Sequence, residues 1–139
     1  MRTRLRAARL RGERGATAVE FAFILPLLIV LVLGIAEFGH AFQVSGTLSA
    51  AAREGVRVMA LQNDRGAAMA AVRSAAPSLN PAVTDAQIKI PAICPAPGTG
   101  TGTGTTTVRL TIDYPMPFLT GFFGSSLTLH GTGVMRCNG

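Results

Sequence analysis

Hydrophobic and polar positions follow three rhythms in turn along this chain. Between Ala16 and Ala36 the only charged side chain is Glu20, and nearly every other position is apolar or small. As an α-helix this run would be about 31 Å long, enough to cross the hydrocarbon core of a bilayer. Pro26 lies inside it. A mid-helix proline costs about 3 kcal/mol in water, yet membrane helices tolerate it because neighbouring groups re-satisfy the freed carbonyl. From Glu37 to Gln62 the pattern becomes amphipathic. Ala41, Val44, Leu48, Ala51, Ala52, Gly55, Val58 and Met59 fall on one face, with Gln43, Thr47, Arg53, Glu54 and Arg57 on the other. That period, near 3.6, predicts one helix continuing out of the run to Gln62, about 70 Å in all. Its apolar stripe is built mostly of small residues and suits close packing against a helix or a sheet.

Asn63 and Asp64 offer an N-cap to a second, alanine-rich helix over Arg65–Ala76, which Pro77 ends. Pro77, Asn80 and Pro81 mark a loop. A period of two then takes over. Ala86–Ile93 is a candidate strand interrupted by Pro91. Thr106–Tyr114 sets Val108, Leu110 and Ile112 against Thr107, Arg109, Thr111 and Asp113, the clearest strand in the chain. Pro115-Met116-Pro117 is expected to break it, and Phe118–Gly124 reads as an apolar turn. Leu127–Val134 gives a last strand, interrupted by Gly131 and Gly133. The Gly/Thr-rich tract at 98–107 has nothing with which to build a core and reads as a flexible loop. It lacks the lysine and following helix of a phosphate loop.

The fold class is therefore α+β: a long N-terminal membrane-spanning helix continuing into an amphipathic one, a short helix, and a small antiparallel sheet. A sheet of two or three strands needs a cover on one face, and the amphipathic helix is the obvious one. The expected divisions are a basic leader at 1–15, a transmembrane helix at 16–36, a helical region at 37–78 and a β-rich region at 79–139.

Charge sharpens this picture. The formal charge is +6, but six arginines (Arg2, Arg4, Arg6, Arg9, Arg11 and Arg14) stand with Glu13 before Gly15, and the remainder is nearly balanced. A nucleic-acid face needs basic residues clustered on a folded surface. Basic residues beside a membrane run instead follow the positive-inside rule, which keeps the N-terminus cytoplasmic and exports the rest. Cys94 and Cys137 then lie outside the cytoplasm, where a disulfide is the leading expectation. Closing a loop of that size contributes up to about 4 kcal/mol in the chain-entropy model. Neither His40 nor His130 is spaced from a cysteine as a metal ligand, so no metal or other cofactor is expected. Ser125 and Ser126 lack a nucleophile-elbow context, and the acids show no general acid/base pair. The residues thus point away from an enzyme. His130 reads as a solvent-facing or hydrogen-bonded strand residue.

Glu20 is the unexplained feature. A carboxylate within a bilayer costs about 3 kcal/mol on insertion scales, which marks it as functional by default. The segment Gly15-Ala16-Thr17-Ala18-Val19-Glu20-Phe21 resembles the processing site of type IV prepilins of the tight-adherence (Flp) branch. In register with it, Leu25-Pro26-Leu27-Leu28, Gly34-Ile35-Ala36-Glu37-Phe38-Gly39 and Ala51-Ala52-Arg53-Glu54-Gly55-Val56-Arg57 look like the TadE/TadG-like minor pseudopilins. The resemblance covers about the first 60 residues closely, and the β-rich remainder is compatible but not specific.

That resemblance implies a substrate of a membrane prepilin peptidase that is cut after Gly15, freeing the amine of Ala16. It further implies partners among other pilins or pseudopilins and the pilus assembly platform. Glu20 of one subunit would pair with the Ala16 amine of a neighbour, offsetting the desolvation of both charges. Pro26, Glu37, Arg53, Glu54 and Arg57 would serve subunit packing. The expected location is the inner (cytoplasmic) membrane, single-pass, with the C-terminus periplasmic. Three alternatives stay open. Glu20 could simply mark the headgroup level. Gly39-His40-Ala41 offers a signal-peptidase site that would release a secreted binding module starting at Phe42. An uncleaved anchor would make Gly15 and Glu20 incidental.

Overall fold

A computed structural model describes residues 4–94 and 106–137, with side chains described from Gly15 onward except Ala16. Helix α1 runs Arg4–Gln62 without interruption and carries Pro26 inside it. It therefore starts before the expected Ala16 and ends where the period ends. Two compact units divide the chain, Met1–Phe38 and Gly39–Gly139.

In the first unit nearly all the described side chains of the apolar run are exposed, Leu33 being half-buried; Phe23 keeps 79% of its surface and Leu27 71%. Aliphatic and aromatic side chains contribute about 2 kcal/mol each when removed from water. A run of them left uncovered by the chain itself needs another apolar solvent. By length and composition it can cross a membrane once.

The second unit supplies its own cover. Asn63 closes α1 in the left-handed region, φ 51°, with its N–H donating to Met59 O at 2.9 Å. Asp64 then caps helix α2, Arg65–Ala75, its Oδ1 accepting from the N–H groups of Gly66 at 2.7 Å and Ala67 at 3.1 Å. After the Pro77 loop a 3₁₀ turn, Asp85–Gln87, leads into the sheet. Three strands follow: β1 Ile88–Lys89, β2 Thr107–Pro117 and β3 Ser126–Arg136, ordered β1-β2-β3 with both pairings antiparallel. The core lies between α1, α2 and one sheet face. Leu48, Ala51, Ala52 and Met59 of α1 and Ala68 and Val72 of α2 meet Val108, Leu110, Ile112, Tyr114 and Met116 of β2. The small-residue stripe of α1 is the surface the sheet packs on. Burial pushes the Tyr114 phenol above its ordinary pKa, and its O–H donates to Pro81 O at 2.7 Å, tying the loop after α2 to the sheet.

Three strand expectations are corrected. The strand expected over 86–93 shrinks to two residues, because the 3₁₀ turn occupies 85–87 and Pro91 follows soon after. Pro115 and Pro117 do not break β2; they pair across to Thr128 and Ser126. The register explains why. Cys137 N–H donates to Thr106 O at 2.9 Å, so even-numbered residues of β2 make the ladder bonds to β3. The odd-numbered prolines turn their nitrogens to the opposite edge, where β1 reaches only Thr111 and Ile112. A residue with no N–H fits a strand at such an unpaired edge.

Gly131 and Gly133 likewise do not interrupt β3. A Cβ on Gly131 would lie 2.6 Å from Leu48 O, and one on Gly133 2.4 Å from Ala52 O. They are the points at which the backbone of β3 rests directly on the backbone of α1. Of the Gly/Thr loop expected over 98–107, Thr107 belongs to β2, while 98–105 lies outside the described residues.

Candidate functional site

The candidate junction is a stretch of α1. Gly15 and Glu20 are exposed on it, as is Phe21. A Cβ built on Gly15 meets nothing within 4 Å, so neither helix packing nor backbone strain accounts for a glycine there. Glu20 stands one helical turn after Ala16. The chain thus offers a small residue, then a carboxylate one turn on, at the edge of an exposed apolar surface. Pro26 is carried within the helix.

The other candidate packing residues part ways. Glu37 is 3% exposed, a buried carboxylate rather than one presented at a surface. Arg53, Glu54 and Arg57 lie on the exposed face of α1, opposite the sheet, and Arg57 Nη1 stands 3.5 Å from Glu54 Oε2. Pairs this exposed are worth well under about 1 kcal/mol, so these side chains are held only loosely to each other. Cys94 and Cys137 are joined as a disulfide, Cα atoms 5.9 Å apart. Asn63 braces the bridge, its Oδ1 accepting the Cys94 N–H at 2.6 Å.

The polar face of the sheet holds a cluster that sequence reading passed over. Asp113 sits between Lys89 of β1 and His130 of β3, with His130 Nδ1 2.7 Å from its Oδ1 and Lys89 Nζ on its Oδ2. The Lys89 hydrogen bond, then that of His130, hold the Asp113 carboxyl below the usual carboxylate range. Part of the signal was available in the alternation, which put Asp113 on the face opposite Val108, Leu110 and Ile112; what pairs it with Lys89 and His130 is register, and register was not readable. The cluster joins three strands. Asp85 is likewise engaged by Arg73, linking the 3₁₀ turn to α2. Among the described residues no group of three His, Cys, Asp or Glu side chains could hold a metal ion.

The class defined by these observations is a single apolar membrane-length helix joined to a small disulfide-linked α+β unit. Residues 15–57 match the model of the TadE-like protein family. The match opens at Gly15 and closes at Arg57, and so bears out the resemblance to TadE/TadG-like proteins over that stretch. It covers α1 alone and none of the sheet. No curated protein and no solved structure matches the chain.

Proposed function

We propose that this chain is a minor pseudopilin-like membrane protein. A prepilin peptidase processes it after Gly15, and it takes part in assembling a tight-adherence pilus. The observation that carries the proposal is the match to TadE-like proteins over 15–57, which starts at the residue where the basic segment ends. Hydrolysis of the Gly15–Ala16 amide adds water across the bond, leaving a carboxylate on the leader and an ammonium on Ala16. That ammonium sits one turn from Glu20, at the start of the apolar surface. In a bundle of such helices the carboxylate of one subunit meets the ammonium of another, and pairing offsets the cost of holding both in a low-dielectric setting. The pair fixes axial register, because a slip by one turn leaves two uncompensated charges.

Two features support the orientation. Arginines before Gly15 favour a cytoplasmic N-terminus. A disulfide in the sheet unit fits an extracytoplasmic location, since the cytoplasm keeps such thiols reduced. The exposed Arg53, Glu54 and Arg57 are then contacts for a neighbouring pilin or the assembly platform, whereas a buried Glu37 is less suited to that part.

Glu20→Ala tests the pairing. It should leave membrane insertion and removal of the leader intact while reducing recovery of partner pilins with the tagged protein. Undiminished co-purification would end the pairing role.

A further inference from the structure

The hairpin joining β2 to β3 presents an aromatic tip, of which Phe118 packs partly against the core while Phe122 and Phe123 stay outside it. Phe118, Phe122 and Phe123 cluster there, with Phe122–Phe123 ring centroids 5.7 Å apart at 70° and Phe118–Phe123 at 6.4 Å. Gly121 and Gly124 hold the tip in its turn, at φ 65° and 124°. Phe122 remains 66% exposed, and Leu119, Phe123 and Leu127 are exposed beside it. Soluble surfaces scatter such residues singly; a contiguous group marks a binding surface.

The direction of the tip follows from packing within the sheet unit. Gly131 rests on Leu48 and Gly133 on Ala52, so β3 runs in the same sense as α1. Going back from Gly131 to Ser126 covers about 16 Å of strand. Going back from Leu48 to Gly39 covers about 14 Å of helix. The tip therefore lies at the Gly39 end of this unit, the end that follows the apolar run in the chain. Phe42, 78% exposed, is on α1 at that same end.

Charge is sorted the same way. No Asp, Glu, Lys or Arg lies between Glu37 and Arg53 on the helix, nor between Asp113 and Arg136 on the hairpin. The Gly39 end of the unit is formally uncharged as well as aromatic.

We propose that the β2–β3 tip is a second membrane contact, with Phe122 and Phe123 lying in the lipid interface on the side where α1 leaves the bilayer. This rests on the apolar run being a membrane span. Continuity with that run selects lipid over a protein partner: an uncharged aromatic tip at the exit of a span meets the headgroup–acyl boundary, where Phe and Leu side chains insert shallowly. A helix and a hairpin tip, both anchored, restrict the tilt of the sheet unit as a helix alone would not.

The chain has no tryptophan, so one introduced indole reports one position. Full-length Phe122→Trp, Phe23→Trp and Ser74→Trp would each be reconstituted in phosphatidylcholine vesicles containing lipids brominated on the acyl chains near the headgroup. Retention of the Cys94–Cys137 bond on a non-reducing gel confirms folding. The expected result is a blue-shifted, strongly quenched emission for Phe122→Trp and Phe23→Trp, with Ser74→Trp unquenched. Quenching of Phe23→Trp alone overturns the tip contact and leaves the span intact. A blue shift at Phe122→Trp without quenching also overturns it, in favour of a protein surface such as a second copy. If neither Phe23→Trp nor Phe122→Trp is quenched, the span reading fails and takes this contact with it.

Discussion

Two stretches of one helix solve the burial problem in opposite ways. Before Phe38, α1 carries large apolar side chains that remain exposed. After Gly39 the apolar stripe mixes small residues with a few larger ones, and Ala51 and Ala52 are sealed against the sheet and α2 together with Leu48 and Met59. Large exposed residues suit a fluid apolar solvent, which needs no complementary shape. Small buried ones suit a partner backbone that comes close at fixed points. The comparison separates what a membrane must supply to this chain from what the chain supplies to itself. The family match over 15–57 spans both regimes and covers none of the sheet.

The self-supplied half can be broken without touching the other. Replacing both Cys94 and Cys137 by Ser should have the largest effect, lowering the stability of the sheet unit by up to about 4 kcal/mol. Urea unfolding of the full chain in detergent would read this as an earlier loss of sheet signal, with helicity of the apolar run retained. An unchanged midpoint would mean that the bridge constrains little of the unfolded chain.

Gly133→Ala comes next. Its methyl would overlap Ala52 O, forcing β3 off the helix at a cost on the order of 3 kcal/mol. Gly15→Ala, where a Cβ meets nothing, should leave the same transition where it was. Equal effects from the two would contradict the contrast drawn here.

The smallest effect is pH-dependent. The folded-state pKa of Asp113 is lowered by Lys89 and His130, so its contribution is complete above the ordinary carboxylate value, about 4. It is lost as pH falls through the lowered folded value. Asp113→Asn should be somewhat less stable at neutral pH and should show a shallower acid decline in thermal midpoint. A parallel decline in both proteins would remove Asp113 from the acid response.

The sequence carried the helices well because their signals are local. The stripe from Val44 to Met59 and the cap at Asp64 each depend on neighbours within a turn or two. The strand centred on Leu110 was equally plain from alternation. What stayed hidden were properties of pairing. Pro115 and Pro117 looked like breakers because the unpaired edge of β2 is defined by where the distant β1 stops. Gly131 and Gly133 looked like interruptions because the reason for them is the backbone of α1, far away in sequence. The Lys89–Asp113–His130 cluster needs three strands in register before it exists. The junction, by contrast, gains little from geometry: Gly15 and Glu20 are ordinary exposed helix positions, and the processing and pairing proposed for them involve an enzyme and neighbours outside this chain.

N-terminal sequencing of the mature protein from membranes of its native host, beside Gly15→Leu, tests the central claim most directly. Processing at the junction predicts a start at Ala16-Thr17 for the native chain and an intact leader for the variant. A start at Phe42-Gln43, or an intact Met1 in both proteins, would contradict it.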